Sequence, residues 1–139
     1  DPIQVIEASS IGADAILLIL DILSVNTANE IIDVASQYNL DVLIEIHETN
    51  TLNKLNDLNQ IEIIGVNNRN LNSFDTNIDH ASKIIRQLKI DYPKVTFVAE
   101  SGYNDIKSLQ SLEKDGINGV LIGEGLKVNQ NLLEWFNEN

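Results

Sequence analysis

The chain has 139 residues, with nine Lys plus Arg against 21 Asp plus Glu, for a formal net charge of −12. With no cysteine, it can hold neither a disulfide framework nor a thiolate zinc site, and it cannot use a cysteine nucleophile. Hydrophobic residues at 43% and charged residues at 22% are ordinary for a folded chain. So acidic a surface is a poor match for nucleic acid, whose phosphates need clustered Lys and Arg.

No apolar run approaches the roughly 18 residues of a membrane span, and a cytoplasmic protein with neither signal peptide nor membrane partner is expected. The length suits one domain or a large piece of one. The absence of methionine and the start at Asp1-Pro2 point to a fragment, and the lopsided charge suggests that basic residues belong elsewhere in the same protein.

Residues 3–12 place Ile3, Val5, Ile6 and Ile11 before a glycine and read as a short helix. The apolar run 15–20 is too short for a typical helix and reads as a strand buried on both faces. A helix capped over 26–30 runs to about Tyr38, with Ile31, Ile32, Val34 and Ala35 as its apolar positions. A second strand is expected over 42–47, then a helix over about 50–57. The third strand is expected over 61–67, with a helix over about 77–89. The fourth strand, 95–100, precedes a helix over about 104–114. The fifth, 119–123, precedes a closing helix over 132–137, in which Trp135 and Phe136 read as packing against the sheet.

Strand starts near 15, 42, 61, 95 and 119 are spaced by about 26 residues, the length of a βα unit, and such crossovers demand parallel strands. Five units admit two α/β architectures: an open doubly wound sheet, or part of a (βα)8 TIM barrel, which takes about 250 residues when whole. Pattern alone leaves both open.

In either architecture the chemistry lies at the carboxyl ends of the strands, and here those ends are polar. Period two puts Leu43, Glu45 and His47 on one face of their strand, and gathers Gly65, Asn67 and Arg69, and then Thr96, Val98 and Glu100. Glu45 inside an apolar run is the sharpest feature, because a buried carboxylate is costly unless paired and burial moves its pKa towards acid–base work. The competing reading is a structural ion pair, with Arg69 as the candidate partner. Glu100 invites the same argument against a capping role. Asn67 and Arg69 suit a substrate carboxylate or phosphate, or form a solvated turn.

Ser101-Gly102 and Gly123-Glu124-Gly125 each follow a strand and precede a helix, where backbone N–H groups can approach an anion. Glu124 is an awkward neighbour for phosphate unless only its backbone binds. His47 reads as a wall residue, His80 as surface and Asp21 as a solvated loop residue, and no His/Asp/Glu spacing suggests a metal.

The segments DPIQVIEASSIGADAILLI, DVLIEIHE, IIGVNNRNL, FVAESGY and GVLIGEGL, in this order and spacing, resemble the indole-3-glycerol phosphate synthase family. The resemblance implies a TIM barrel of which residues 1–139 are the C-terminal portion, strands four to eight, without the first three βα units. It implies closure of the indole ring of 1-(2-carboxyphenylamino)-1-deoxyribulose 5-phosphate, losing carbon dioxide and water, with no metal or organic cofactor. By position, Glu45 resembles the proton acceptor in the dehydration, and Asn67 and Arg69 the polar pair lining the substrate site. Glu100 resembles the carboxylate by the reacting ring, while Ser101, Gly102, Gly123 and the backbone of Glu124 resemble phosphate contacts. Leu17 and Leu121 resemble apolar walls for an aromatic ring.

The family's catalytic lysines, on strands one and three, have no counterpart here, so this chain alone is expected to be inactive. Self-association through the open sheet edges of such a fragment is also expected. The rivals are another phosphate-binding barrel enzyme such as phosphoribosyl anthranilate isomerase, and a non-enzymatic open-sheet binding domain. A receiver-like version of the latter wants an Asp after its third strand, where Asn67 stands.

Overall fold

Asp1 opens the chain with a capping box. Its carboxylate accepts the Ile3 N–H at 3.0 Å while Gln4 reaches back to the N-terminus, so helix α1 (Pro2–Ser10) starts with proline at its first turn. A computed structural model describes residues 1–70 and 73–138. Contacts divide the chain into two units, Asp1–Gly65 and Val66–Asn139.

In the first unit, β1 (Ala15–Ile19) pairs in parallel with β2 (Asp41–Ile46). Between them, after a 3-10 turn over Leu20–Ile22, lies α2 (Val25–Gln37), whose N-cap Ser24 accepts the Thr27 N–H at 3.1 Å. The helix therefore begins slightly earlier than the Asn26–Glu30 signal implies. It buries Ala28, Ile31, Ile32 and Ala35, the spacing of one helical face. Register sets Leu17 beside Leu43 and Ile19 beside Glu45.

The expectation of a β1 buried on both faces is corrected. Only Leu18 is buried, whereas Ala15 and Leu17, on the opposite face by the strand's period of two, are exposed. Likewise α1 buries Val5 but leaves Ile3, Ile6 and the following Ile11 exposed. The helix expected after β2 breaks into a 3-10 turn, Thr49–Thr51, and one α-turn, α3 (Leu52–Leu55).

The division of the chain falls inside β3 (Ile63–Asn67). In the second unit α4 (Asp79–Asp91) buries Ala81, Ile84, Ile85 and Leu88. Next come β4 (Thr96–Glu100) and α5 (Ile106–Lys114), the latter capped by Asp105, which accepts the Ser108 N–H at 3.0 Å. Strand β5 (Gly119–Leu121) pairs in parallel with β4, placing Glu100 beside Leu121. A helix absent from the sequence pattern, α6 (Glu124–Val128), follows β5 directly, and α7 (Gln130–Glu138) closes the unit. Leu132 is its buried anchor. Phe136 is 42% exposed, borders one hollow with Gly119 and Val120 of β5, and stacks edge-on with Trp135 at 5.1 Å.

No helix among the described residues is long and apolar enough to cross a membrane.

Candidate functional site

The first unit holds Glu45 and Leu17. Glu45 is the penultimate residue of β2 and only 5% exposed. Leu17 is 45% exposed on the same face, an apolar surface open to solvent.

Just beyond β2 the backbone is fixed by a residue read from sequence as solvated. The half-buried Asp21 carboxylate accepts the N–H groups of His47 at 2.8 Å and Glu48 at 3.3 Å. Lys54 Nζ donates to the carbonyls of Leu20 at 3.0 Å, Asp21 at 3.4 Å and Leu23 at 2.8 Å. Together Asp21 and Lys54 tie the turn after β1 to the segment that follows Glu45. Asp21 is thus a structural carboxylate, and no signal short of the fold reveals it.

The second unit brings together the rest: Asn67, Arg69, Glu100, Ser101, Gly102, Leu121, Gly123 and Glu124. Glu100, at the end of β4, is 1% exposed, and its register partner Leu121 is 43% exposed. The buried Asn67 turns its Oδ1 onto the Arg69 N–H at 2.9 Å, an Asx turn that bends the chain as it leaves β3. Arg69 lies beside Glu124, Nη2 to Oε2 at 3.2 Å, so the guanidinium's counterion in this unit is Glu124.

Arg69, Ser101, Gly102, Leu121, Gly123 and Glu124 all line one cleft of about 390 Å³, to which Tyr103, Asn104 and Gly125 also contribute. Ser101 and Gly102 take left-handed backbone, with φ of +66° and +85°. Thr76 packs so close to Gly102 that a β-carbon there would lie 2.5 Å from its Cγ2. At Gly125 a β-carbon would lie 2.2 Å from the Tyr103 carbonyl, so the loop after β4 and the start of α6 approach as only glycine permits. Gly123 differs: open space surrounds its missing side chain, leaving its backbone accessible from the cleft.

Tyr103 is 2% exposed, and burial pushes its phenol above the ordinary value, with the Asp79 and Asp115 carboxylates adding to the rise. The Asn68 amide pulls the other way. That amide already commits Oδ1 to the Ala81 N–H and Nδ2 to the Ser101 carbonyl, and the phenol reaches no partner at hydrogen-bond geometry among the described residues. Asn68 itself went unnoticed in the sequence, where it is one amide in a polar run.

His47 is half-buried beyond β2, and His80 is half-buried in the first turn of α4. Among the described residues no group of three His, Asp or Glu side chains is disposed to hold a cation. Leu71, the last residue of the IIGVNNRNL segment, lies outside the described residues.

Comparison with solved structures places the fold. The chain is similar to one from the tryptophan synthase a2b2 complex of the hyperthermophile Pyrococcus furiosus, with a TM-score of 0.61 at 18% identity, over 90% of this chain and 48% of that one. It is also similar to the carboxyl transferase domain of Rhizobium etli pyruvate carboxylase, with a TM-score of 0.62 at 13% identity, over 86% of this chain and 23% of that one. Both are TIM-barrel likenesses, and at such identities they speak for the fold alone: part of a (βα)8 barrel.

Sequence relatives speak for the family. Indole-3-glycerol phosphate synthase of Staphylococcus aureus (strain MRSA252) is 38% identical over 135 residues, covering 97% of this chain and 50% of the relative. That of Salinibacter ruber is 42% identical over 127 residues, covering 91% of this chain and 45% of the relative. The chain therefore spans about half the length of the curated relatives it matches. The family profile described as indole-3-glycerol phosphate synthase matches residues 1–137, a span that includes every strand end and every residue of the cleft, and the chain belongs to that family.

Proposed function

We propose that this chain supplies barrel strands four to eight of an indole-3-glycerol phosphate synthase. The enzyme closes the indole ring of 1-(2-carboxyphenylamino)-1-deoxyribulose 5-phosphate, with loss of carbon dioxide and water, in the cytoplasm. The observation that carries this reading is the family match over residues 1–137, which runs through all the polar strand ends.

In this reading Glu45 accepts the proton removed in the dehydration. At 5% exposure it stands at the carboxyl end of β2, where a positioned carboxylate can take a proton from a substrate held there. Glu100 stands by the reacting ring, where a buried negative charge stabilises positive charge developing on the substrate nitrogen. Asn67 and Arg69 orient the substrate. The Ser101, Gly102, Gly123 and Glu124 segments present hydroxyl and N–H groups to its phosphate in the 390 Å³ cleft. Leu17 and Leu121, 45% and 43% exposed, each offer an apolar surface of the kind an aromatic ring packs on.

No metal or organic cofactor takes part. Ring closure needs a general acid and a further phosphate-binding lysine that this chain does not carry, so the chain alone is inactive, and its sheet edges pair with a second copy when nothing else covers them.

The test mixes the chain with a polypeptide carrying the first three βα units of the Staphylococcus aureus relative and follows indole fluorescence. Product in the mixture, none from either part, and its loss with Glu45→Gln are expected. Product from the chain alone overturns the assignment of the missing acid. A mixture that is inactive although both parts associate overturns the synthase reading for this chain. Sedimentation of the chain alone tests edge pairing, which a monomer at all concentrations contradicts.

A further inference from the structure

Asn68 carries no role in the family resemblance, yet every polar group it owns is engaged within the second unit. It is 0% exposed. Its N–H donates to the Glu100 carbonyl at 2.9 Å, and its carbonyl accepts the Asn77 N–H at 3.0 Å. Its Oδ1 accepts the Ala81 N–H at 2.8 Å, doing for the first turn of α4 what a local cap would do, and its Nδ2 donates to the Ser101 carbonyl at 3.0 Å.

The last bond falls on a strained peptide. Ser101, at φ +66°, occupies the left-handed region that disfavours a residue with a side chain, and Gly102 follows at +85°. The Ser101 N–H is held by the Leu121 carbonyl at 3.3 Å. Its carbonyl is held by Asn68. In a planar trans peptide the Ser101 carbonyl and the Gly102 N–H point in opposite directions. A donor that draws the carbonyl oxygen into the buried side of the loop therefore turns the Gly102 N–H outwards, and Gly102 lines the cleft while Asn68 does not.

We propose that Asn68 is a positioning residue for anion binding: by gripping the Ser101 carbonyl it sets the plane of the Ser101–Gly102 peptide and aims the Gly102 N–H into the cleft. The proposal rests on the reading of that cleft as a phosphate site.

Inorganic phosphate is titrated into the isotope-labelled chain and followed at the Gly102 and Gly123 amide resonances. Asn68→Asp keeps an oxygen for Ala81 and loses the donor to Ser101, and weakens phosphate binding about tenfold, the worth of one hydrogen bond to a buried group. Ser101→Gly weakens binding in the unaltered chain by removing a hydroxyl. In the Asn68→Asp background it instead restores roughly threefold, because glycine holds φ +66° without restraint. A purely structural Asn68 predicts additive effects and unchanged affinity in the folded fraction.

The second measurement covers the case in which Asn68→Asp does not fold. Saturating phosphate slows hydrogen exchange of the Asn68 side-chain amide in the unaltered chain, since coupling between lock and ligand is reciprocal. Phosphate binding without coupling in either measurement overturns the proposal alone. Gly102 and Gly123 resonances that ignore phosphate both in the chain alone and in its mixture with the polypeptide carrying the first three βα units overturn the phosphate reading, and the proposal with it.

Discussion

Asp21 and His47 are 26 residues apart in the chain, and the carboxylate of the first accepts the backbone N–H of the second at 2.8 Å. The same carboxylate takes the Glu48 N–H at 3.3 Å, so one acid satisfies two consecutive donors just after the strand that carries Glu45. A parallel strand that ends in a loop leaves such donors without ladder partners, and a half-buried donor without an acceptor is expensive.

Asp21→Ala removes both acceptors and lowers stability by about 1–3 kcal/mol, read from the urea midpoint, while Asp21→Asn, keeping one oxygen, costs roughly half as much. Amide exchange of His47 and Glu48 rises selectively in both variants. Unchanged protection at these two amides contradicts the assignment.

Lys54 offers an independent test of the same turn. Its ammonium donates to three backbone carbonyls, those of Leu20, Asp21 and Leu23. Lys54→Met keeps the apolar stem and loses all three bonds, for about 1–2 kcal/mol. Because Asp21 and Lys54 grip one turn, the double variant Asp21→Ala/Lys54→Met loses less than the sum of the single losses. Strict additivity of the three denaturation midpoints contradicts a shared role.

The two glycines around the β5–α6 turn separate packing from binding. A β-carbon at Gly125 meets the Tyr103 carbonyl at 2.2 Å, and backbone there cannot yield cheaply, so Gly125→Ala costs at least about 2 kcal/mol in thermal or urea unfolding. A β-carbon at Gly123 meets nothing within 4 Å. Gly123→Ala therefore stays within about 0.5 kcal/mol of the unaltered stability, while the proposed phosphate site predicts weaker inorganic phosphate binding, because the methyl projects into open space beside the cleft. Equal stability losses for the two variants contradict this division.

Much of this arrangement is legible in the sequence. Apolar spacing over a turn and a half identifies α2, and runs of branched residues identify the strands, because burial dictates both. The polar strand ends are legible for the converse reason: a carboxylate such as Glu45 does not enter an apolar strand without cause. What escapes is whatever depends on distant partners. Asn68 matters through Ser101, 33 residues on, and Ala81, 13 residues on. Helix α6 escapes because a segment of five residues with Gly125 inside it has the composition of a turn. The exposure of Leu17 escapes because an apolar run shows that a strand has greasy neighbours, not which of its faces has them within this unit.

Asp115 supplies the pH dependence. Its carboxylate meets Arg86 Nη2 at 2.7 Å beyond the end of α5, and that hydrogen bond, helped by Ser82 and by the charges of Arg86 and Lys89, holds its pKa below the usual 3.8 despite some burial. A carboxyl whose folded pKa is depressed binds its proton more weakly folded than unfolded, so it contributes stability above the unfolded value and loses it as pH falls through the folded one. Arg86 is largely exposed, and solvent screening limits the pair to about 0.5–1 kcal/mol. Asp115→Asn should therefore unfold at lower urea than the unaltered chain at pH 7. The gap should stay constant down to about pH 5, begin to close as the pH nears 3.8 and go on closing below it, and shrink in high salt at neutral pH. A gap that persists undiminished at about pH 2 places the effect of the substitution in packing rather than in the charge.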